Sequence, residues 1–142
     1  MIGLGLALAQ PRRRVLVLTG DGEMLMGLGS LASIAVQRPG NLAIVVLDNE
    51  RYGETGMQKT HTAHGTDLAA AALACGFAKA EIVRSGVKLA ALRAEIYRGK
   101  GPLFYQVKVG RDAVPLVLPP RDGAVLRHRV REALLGKRAA AQ

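Results

Sequence analysis

Residues 19–53 read TGDGEMLMGLGSLASIAVQRPGNLAIVVLDNERYG, and the fold prediction depends mainly on this stretch. It opens with a Gly-Asp-Gly turn at 20–22 and contains an Asp-Asn pair at 48–49. A helix-like segment and then an apolar segment of strand length lie between the two. Together with the apolar run at 15–19, the stretch predicts a strand–helix–strand crossover with polar residues directly after each strand.

The same alternation continues through most of the chain. Strands are predicted at 15–19, 42–48, 79–83 and 103–109, and helices at 24–38, 67–76 and 86–98. This alternation favours right-handed crossovers and a parallel sheet covered on both faces, which explains the nearly continuous apolar run at 42–47. The predicted class is α/β, an open parallel sheet flanked by helices in a single domain.

The two ends of the chain depart from this alternation. Residues 1–10 have helical character without a cap or a preceding strand, so we expect a truncated N-terminus. The segment PLVLPP at 115–120 cannot form a helix, whereas 122–136 place Val125 and Val130 on one apolar stripe. We therefore divide the chain into a main domain at 1–112 and, at 113–142, an extended arm that ends in a docking helix.

The composition and the order of apolar and basic segments indicate where in the cell the protein is located. No apolar run reaches the ~18 to 20 residues that cross a bilayer. Arginines follow the apolar N-terminal segment instead of preceding it, which is the reverse of a secretory signal. The single cysteine, Cys75, excludes an internal disulfide. We expect a cytoplasmic protein that does not enter a membrane.

The charge of the chain is strongly positive and uneven. The net charge is +9, and residues 121–142 hold six basic residues against two acidic ones. Only 4% of the residues are aromatic, and no known nucleic-acid-binding module is recognisable. An anionic ligand, an anionic partner or a solvated basic surface explains the charge equally well. We therefore predict no nucleic-acid partner.

The polar residues of the opening stretch form the predicted site. Ligands of an open parallel sheet bind beyond the carboxyl ends of its strands, so Asp21 and Asn49 are expected to face one crevice. Gly20 and Gly22 leave the backbone bare beside Asp21, and the following helix directs its N–H groups there, which favours a phosphate. A carboxylate beside a phosphate requires a cation, and these oxygen ligands suit Mg²⁺. We predict a metal ion that holds a diphosphate.

Other interpretations of these residues are weaker. The third glycine of a dinucleotide fingerprint is absent, and no Gly-Lys-Ser/Thr follows as in a P-loop. A Gly-Asp-Gly alone is typical of a turn, and its pairing with residues 48–49 is what gives it weight. His61 and His64 remain open to three interpretations: metal ligands, substrate-facing groups or a solvated loop. Gln58 and Thr60 are substrate-facing or solvated.

These residues resemble the thiamine diphosphate motif, in which Gly-Asp-Gly is followed at a similar distance by Asn-Asn. Here 25 residues, 23–47, separate Gly22 from Asp48, which replaces the first Asn. The resemblance implies that Asp21, the Asn49 side chain and the Arg51 carbonyl ligate Mg²⁺. The implied cofactor-binding residues are Gly20, Asp21, Gly22, Glu23, Asn49, Arg51, Tyr52 and Gly53.

Within that superfamily, DNERYGETGMQKTHT at 48–62 is most similar to the diphosphate-binding domain of sulfopyruvate and phosphonopyruvate decarboxylases. The resemblance covers residues 1–110, and the separate domains make the chain look like a beta subunit. It implies a small anionic 2-oxo acid substrate and a hetero-oligomer with an alpha-type, pyrimidine-domain subunit, whose glutamate activates the cofactor. No catalytic residue is assignable in this chain, because Glu23, Glu50 and Glu54 lie at the diphosphate end.

Two other functions use the same residues. The first is a carboligase subunit of the acetolactate synthase type, since the motif serves both reactions and the pocket residues decide between them. The second is a non-catalytic subunit that has lost the cofactor. The second interpretation rests on the family's glycine-rich turn and its apolar cofactor prop, which have no counterpart in the twenty residues before Asp21.

Overall fold

The computed structural model describes residues 1–112 and 117–136, and the chain divides into two compact units, Met1–Arg111 and Asp112–Gln142. In the second unit, helix α6 spans Gly123–Leu135, and the Asp122 carboxylate accepts the N–H groups of Ala124 and Val125 at its start. Residues 113–116 and 137–142 of the predicted arm and docking helix lie outside the described residues. Within the described ranges, no helix has the length and apolar character that a bilayer crossing requires.

The first unit contains the α/β fold. Its helices are α1 (Ile2–Ala9), α2 (Asp21–Met26), α3 (Ser30–Gln37), α4 (Leu68–Cys75) and α5 (Gly86–Arg98). Its strands are β1 (Val15–Gly20), β2 (Leu42–Asp48), β3 (Arg51–Tyr52), β4 (Gln58–Lys59), β5 (Lys79–Val83) and β6 (Leu103–Lys108). Four strands form a parallel sheet in the order β1-β2-β6-β5, while β3 and β4 form a small antiparallel hairpin.

Helices cover both faces of the parallel sheet, as predicted. Because β6 lies between β2 and β5, the chain passes one strand position and then turns back through α5, which places α5 on the opposite face from the earlier helices. Ile44 and Phe104 are buried in the core that contains α1 to α4. Val45 and Tyr105 are buried in the core that contains Ile96 of α5. Each large apolar side chain buried in these cores contributes about 1.5–3 kcal/mol to the free energy of unfolding.

One predicted element is wrong. The segment 24–38 forms two helices, α2 and α3, instead of one. Gly27 and Gly29 lie between them, and each glycine costs about 1 kcal/mol in a helix interior relative to alanine. The first helix also begins earlier than predicted, because Glu23 Oε2 accepts the Gly20 N–H at 3.1 Å and thereby caps it. The earlier start makes Asp21 the first residue of α2.

An arginine before β1 fixes the end of α5. Arg14 Nε donates to the Ile96 carbonyl and Nη1 to the Gly99 carbonyl, both at 2.8 Å. We expect Arg14→Leu to lower the free energy of unfolding by about 2 kcal/mol, because charged hydrogen bonds to two helix-end carbonyls are lost. Urea unfolding measures this change, with Arg12→Leu at an exposed position as the control. Equal stabilities of the two variants would contradict the capping role.

Candidate functional site

The site lies at the carboxyl ends of β1, β2 and β6. The parallel register aligns Gly20 with Leu47, and Leu47 with Val107, so these strands end side by side. Asp21 follows β1 directly, and Asp48 is the last residue of β2. Asp21 is 2% exposed and Asp48 is 0% exposed. The sheet therefore brings two buried carboxylates together at the carboxyl ends of its strands, which we call the sheet edge.

Two threonine hydroxyls link these carboxylates. Thr60 Oγ1 lies 2.5 Å from Asp21 Oδ2. Thr62 Oγ1 lies 2.8 Å from Asp48 Oδ1 and 3.2 Å from Asp21 Oδ2. Both threonines are buried, so the expectation that Thr60 is substrate-facing or solvated is wrong. The β3–β4 hairpin turns the chain back over the sheet edge and thereby delivers both hydroxyls to the carboxylates.

Asp48 has a full set of donors. Its Oδ1 accepts the Glu50 N–H at 3.0 Å and the Thr62 hydroxyl, while Oδ2 accepts Gln106 Nε2 at 2.5 Å and pairs with Lys108 Nζ at 2.8 Å. Burial alone raises the pKa of Asp48, but hydrogen bonds from Lys108, Gln106 and Thr62 hold that pKa below its ordinary value. Because a carboxylate offers about four acceptor positions, Asp48 is a charged structural centre without a position left for a metal.

Asp21 has fewer hydrogen-bond donors than Asp48. Its Oδ2 accepts the Thr60 hydroxyl at 2.5 Å. The Thr62 hydroxyl lies 3.2 Å from the same oxygen, but its single proton is closer to Asp48 Oδ1, at 2.8 Å. Among the described residues, Asp21 has no cationic partner and Oδ1 has no hydrogen-bond donor. A buried carboxylate is stabilised by a cation or by several donors. The arrangement therefore leaves one oxygen of Asp21 available to a cation at the sheet edge.

The loop after β2 holds the other two predicted metal ligands. Asn49 Oδ1 accepts the Arg51 N–H at 2.9 Å, which closes a turn typical of asparagine. The Glu50 carbonyl accepts Arg51 Nη1 at 2.9 Å and the Thr60 N–H at 3.1 Å. Glu50 adopts a left-handed backbone with φ 64°. An amide oxygen has two lone pairs, so Asn49 retains one acceptor position beside its bond to Arg51.

The side chain of Glu50 is held by two cations at the end of β6. Lys108 Nζ lies 3.0 Å from Glu50 Oε1, and Arg111 pairs with Glu50 Oε2. Hydrogen bonds from Lys108 and Arg111 lower the pKa of Glu50. Arg111 Nε also approaches the Asn49 carbonyl at 3.4 Å. The loop is therefore fixed from the β6 side as well as by its own hydrogen bonds.

The remaining predicted residues surround this loop. A Cβ at Gly22 would lie 2.8 Å from ring atoms of Tyr52, so only glycine allows this close approach. By contrast, Gly20 and Gly53 have open space where a side chain would begin. Glu23 accepts the Gly20 N–H and the Thr19 hydroxyl, and these two bonds lower the pKa of its carboxyl. Its carboxylate is thus committed to capping α2.

Several residues of the site were not anticipated from the sequence. Thr62 lies in the family-like segment 48–62 but was given no role, and Lys108 and Arg111 form no recognisable motif. Gln106 is a lone amide in an otherwise apolar part of its strand and could have been noticed. Its Oε1 accepts the first N–H groups of α4 at 3.0 and 3.2 Å. His61 and His64 are exposed in a 3₁₀ turn. In the described parts of the chain, no group of three His, Cys, Asp or Glu side chains could hold a metal.

Comparison with known proteins identifies related chains. Residues 2–107 match the family model of the thiamine pyrophosphate enzyme C-terminal TPP-binding domain. Sulfopyruvate decarboxylase subunit beta of Methanothermobacter thermautotrophicus is 46% identical over 116 residues, which cover 82% of this chain and 60% of that protein. Phosphonopyruvate decarboxylase of Streptomyces hygroscopicus is 50% identical over 76 residues, 54% of this chain and 18% of that protein. This chain thus spans less than two thirds of the relatives' lengths.

Solved structures confirm the fold. Benzoylformate decarboxylase from Polynucleobacter necessarius aligns with a TM-score of 0.65 and 24% identity, over 81% of this chain and 23% of that one. Transketolase from Pichia stipitis aligns with a TM-score of 0.58 and 22% identity, over 75% of this chain and 18% of that one. At these identities the likeness concerns the fold alone.

Proposed function

Because the chain belongs to the family of thiamine pyrophosphate enzyme C-terminal TPP-binding domains, we propose that it is the diphosphate- and Mg²⁺-binding subunit of a thiamine diphosphate-dependent 2-oxo acid decarboxylase. The main support for the proposal is that the buried carboxylate of Asp21 has an incomplete set of partners among the described residues. This carboxylate is buried at the sheet edge, receives only hydroxyl donors, and keeps one oxygen without a donor among the described residues. A bound cation would complete its environment.

The donor set at the sheet edge fits Mg²⁺. We assign the protein ligands to Asp21, the Asn49 side chain and the Arg51 carbonyl, all of which are hard oxygen donors. Asp48 is excluded as a ligand by its four donors. Gly20 has open space where a side chain would begin, which supports a backbone approach to the diphosphate at the start of α2, whereas the Tyr52 ring fills the corresponding space at Gly22.

The chain anchors one end of the cofactor, and two glutamates near that end are already engaged by other groups. When bound, thiamine diphosphate supplies an electron sink for the electron pair released with CO₂. The carboxylate of Glu23 is committed to Gly20 and Thr19, and that of Glu50 to two cations. We therefore assign the activating glutamate to a separate pyrimidine-domain subunit, which the name "subunit beta" of a relative supports.

The substrate is proposed from the relatives. The names sulfopyruvate decarboxylase and phosphonopyruvate decarboxylase support a small 2-oxo acid that carries a second anionic group. The experiment combines the full chain with a separately produced pyrimidine-domain chain, thiamine diphosphate and Mg²⁺, and measures CO₂ release from sulfopyruvate, phosphonopyruvate and pyruvate.

We expect the lone chain to release no CO₂ and the pair to decarboxylate one of the two anionic substrates in preference to pyruvate. Turnover by the lone chain would contradict the two-subunit assignment. Release of CO₂ by the pair from pyruvate alone would contradict the substrate class.

A further inference from the structure

The loop that holds two of the proposed metal ligands contains a glutamate in an unfavourable backbone conformation. Glu50 lies between Asn49 and Arg51 and has φ 64°, a region that glycine and asparagine occupy far more readily. All its polar groups are engaged: the N–H with Asp48, the carbonyl with Thr60 and Arg51, and the carboxylate with two cations. A residue used in this way fixes the path of the loop.

The two cations that pair with Glu50, Lys108 and Arg111, differ in their burial and in their other contacts. Lys108 pairs with Asp48 as well as with Glu50 and is mostly buried, so it also supports the interior of the site. The side chain of Arg111 is 52% exposed, and its hydrogen bonds within the described residues go to Glu50 and the Asn49 carbonyl. A change at Arg111 therefore alters the loop without removing a buried side chain.

Arg111 contacts the loop at two points. Nη2 meets the Glu50 carboxylate and Nε lies 3.4 Å from the Asn49 carbonyl, so the planar guanidinium spans consecutive residues of the loop. A single exposed ion pair adds little to stability. Arg111, however, makes a charged hydrogen bond to Glu50 and also contacts the backbone of Asn49, in a loop that other hydrogen bonds already constrain. Arg111 is also the last residue of the first unit.

We propose that Arg111 is a positioning residue for the metal loop: by holding Glu50 and the Asn49 carbonyl, it keeps the Asn49 side chain and the Arg51 carbonyl in place to bind Mg²⁺. This inference rests on the proposed function for its metal, while the effect on the loop is independent of any ligand. The guanidinium acts through the loop, by its contacts with Glu50 and the Asn49 carbonyl.

The test compares Arg111→Gln, Arg111→Lys and the control Arg93→Gln, an exposed arginine of α5, in the full chain. Hydrogen exchange of the ligand-free protein is followed at the Arg51 and Thr60 amides, which donate to Asn49 Oδ1 and the Glu50 carbonyl. We expect Arg111→Gln to speed exchange at both amides about fivefold and to leave the β2 interior unchanged. Arg111→Lys should recover part of the protection through its charge.

The second measurement is Mn²⁺ affinity by electron paramagnetic resonance in the presence of thiamine diphosphate. We expect Arg111→Gln to weaken it about fivefold, with Arg93→Gln equal to wild type. Unchanged exchange at both amides would overturn the positioning role. Faster exchange with unchanged Mn²⁺ affinity would also overturn it. Faster exchange in a chain whose wild type binds no Mn²⁺ would support the Arg111 contact and overturn the proposed metal site.

Discussion

Replacement of Lys108 by methionine is expected to lower the free energy of unfolding by about 3 kcal/mol. Lys108 is the cation paired with Asp48, whose side chain is 0% exposed, at 2.8 Å. Methionine keeps much of the apolar stem but leaves a buried carboxylate without its counter-charge. Glu50 loses one of its two cations in the same substitution. Urea unfolding of the ligand-free chain measures the loss.

A double-mutant cycle separates this pair from general packing. Asp48→Asn alone is destabilising, because an amide offers one acceptor atom where four donors now converge. We expect Asp48→Asn/Lys108→Met to cost less than the sum of the two single changes by at least about 1 kcal/mol. Lys88→Met, which removes a partly exposed pair with Glu81, is the control and should change stability by less than about 1 kcal/mol. Additive single effects would show that Lys108 does not compensate Asp48.

Substitution of Asp21 is expected to abolish cofactor binding without harming the fold. Asp21→Asn keeps the shape and the acceptor for Thr60 but removes the charge. We expect the affinity for thiamine diphosphate with Mg²⁺ to fall at least about 100-fold. The ligand-free variant should be as stable as wild type or more stable, because the substitution removes a buried carboxylate that has no cationic partner in the part of the chain that the structure describes. A less stable Asp21→Asn chain would show instead that Asp21 serves the fold.

Much of the fold could be predicted because its signals are local. The four strands of the parallel sheet, and the described helices other than α2 and α3, begin and end within one residue of the predicted bounds, whereas β3 and β4 were not predicted. The position of the site at the carboxyl ends of the strands could be predicted because Asp21 and Asn49 directly follow parallel strands β1 and β2. The break between α2 and α3 was missed, although Gly27 and Gly29 were visible in the sequence, because the apolar period continues across them.

The interior of the site could not be predicted in the same way. Thr60 and Thr62 reach the carboxylates through a hairpin of two-residue strands, which are too short to produce an alternating pattern. Gln106 lies 58 residues from Asp48, and Lys108 lies 58 residues from Glu50, so only the strand order brings these pairs together. The same order explains Asp48 in place of the motif's asparagine, since four donors converge on a position that an amide would satisfy incompletely. That α6 docks on a partner stays a prediction.

Calorimetric titration of thiamine diphosphate into the full chain, with Mg²⁺ or with a chelator, tests whether the ends of β1 and β2 hold a diphosphate through a metal ion bound to Asp21. We predict that wild type binds the cofactor only when Mg²⁺ is present, and that Asp21→Asn loses this binding while Arg93→Gln retains it. Binding that is equal with and without Mg²⁺, or unchanged in Asp21→Asn, would contradict the claim.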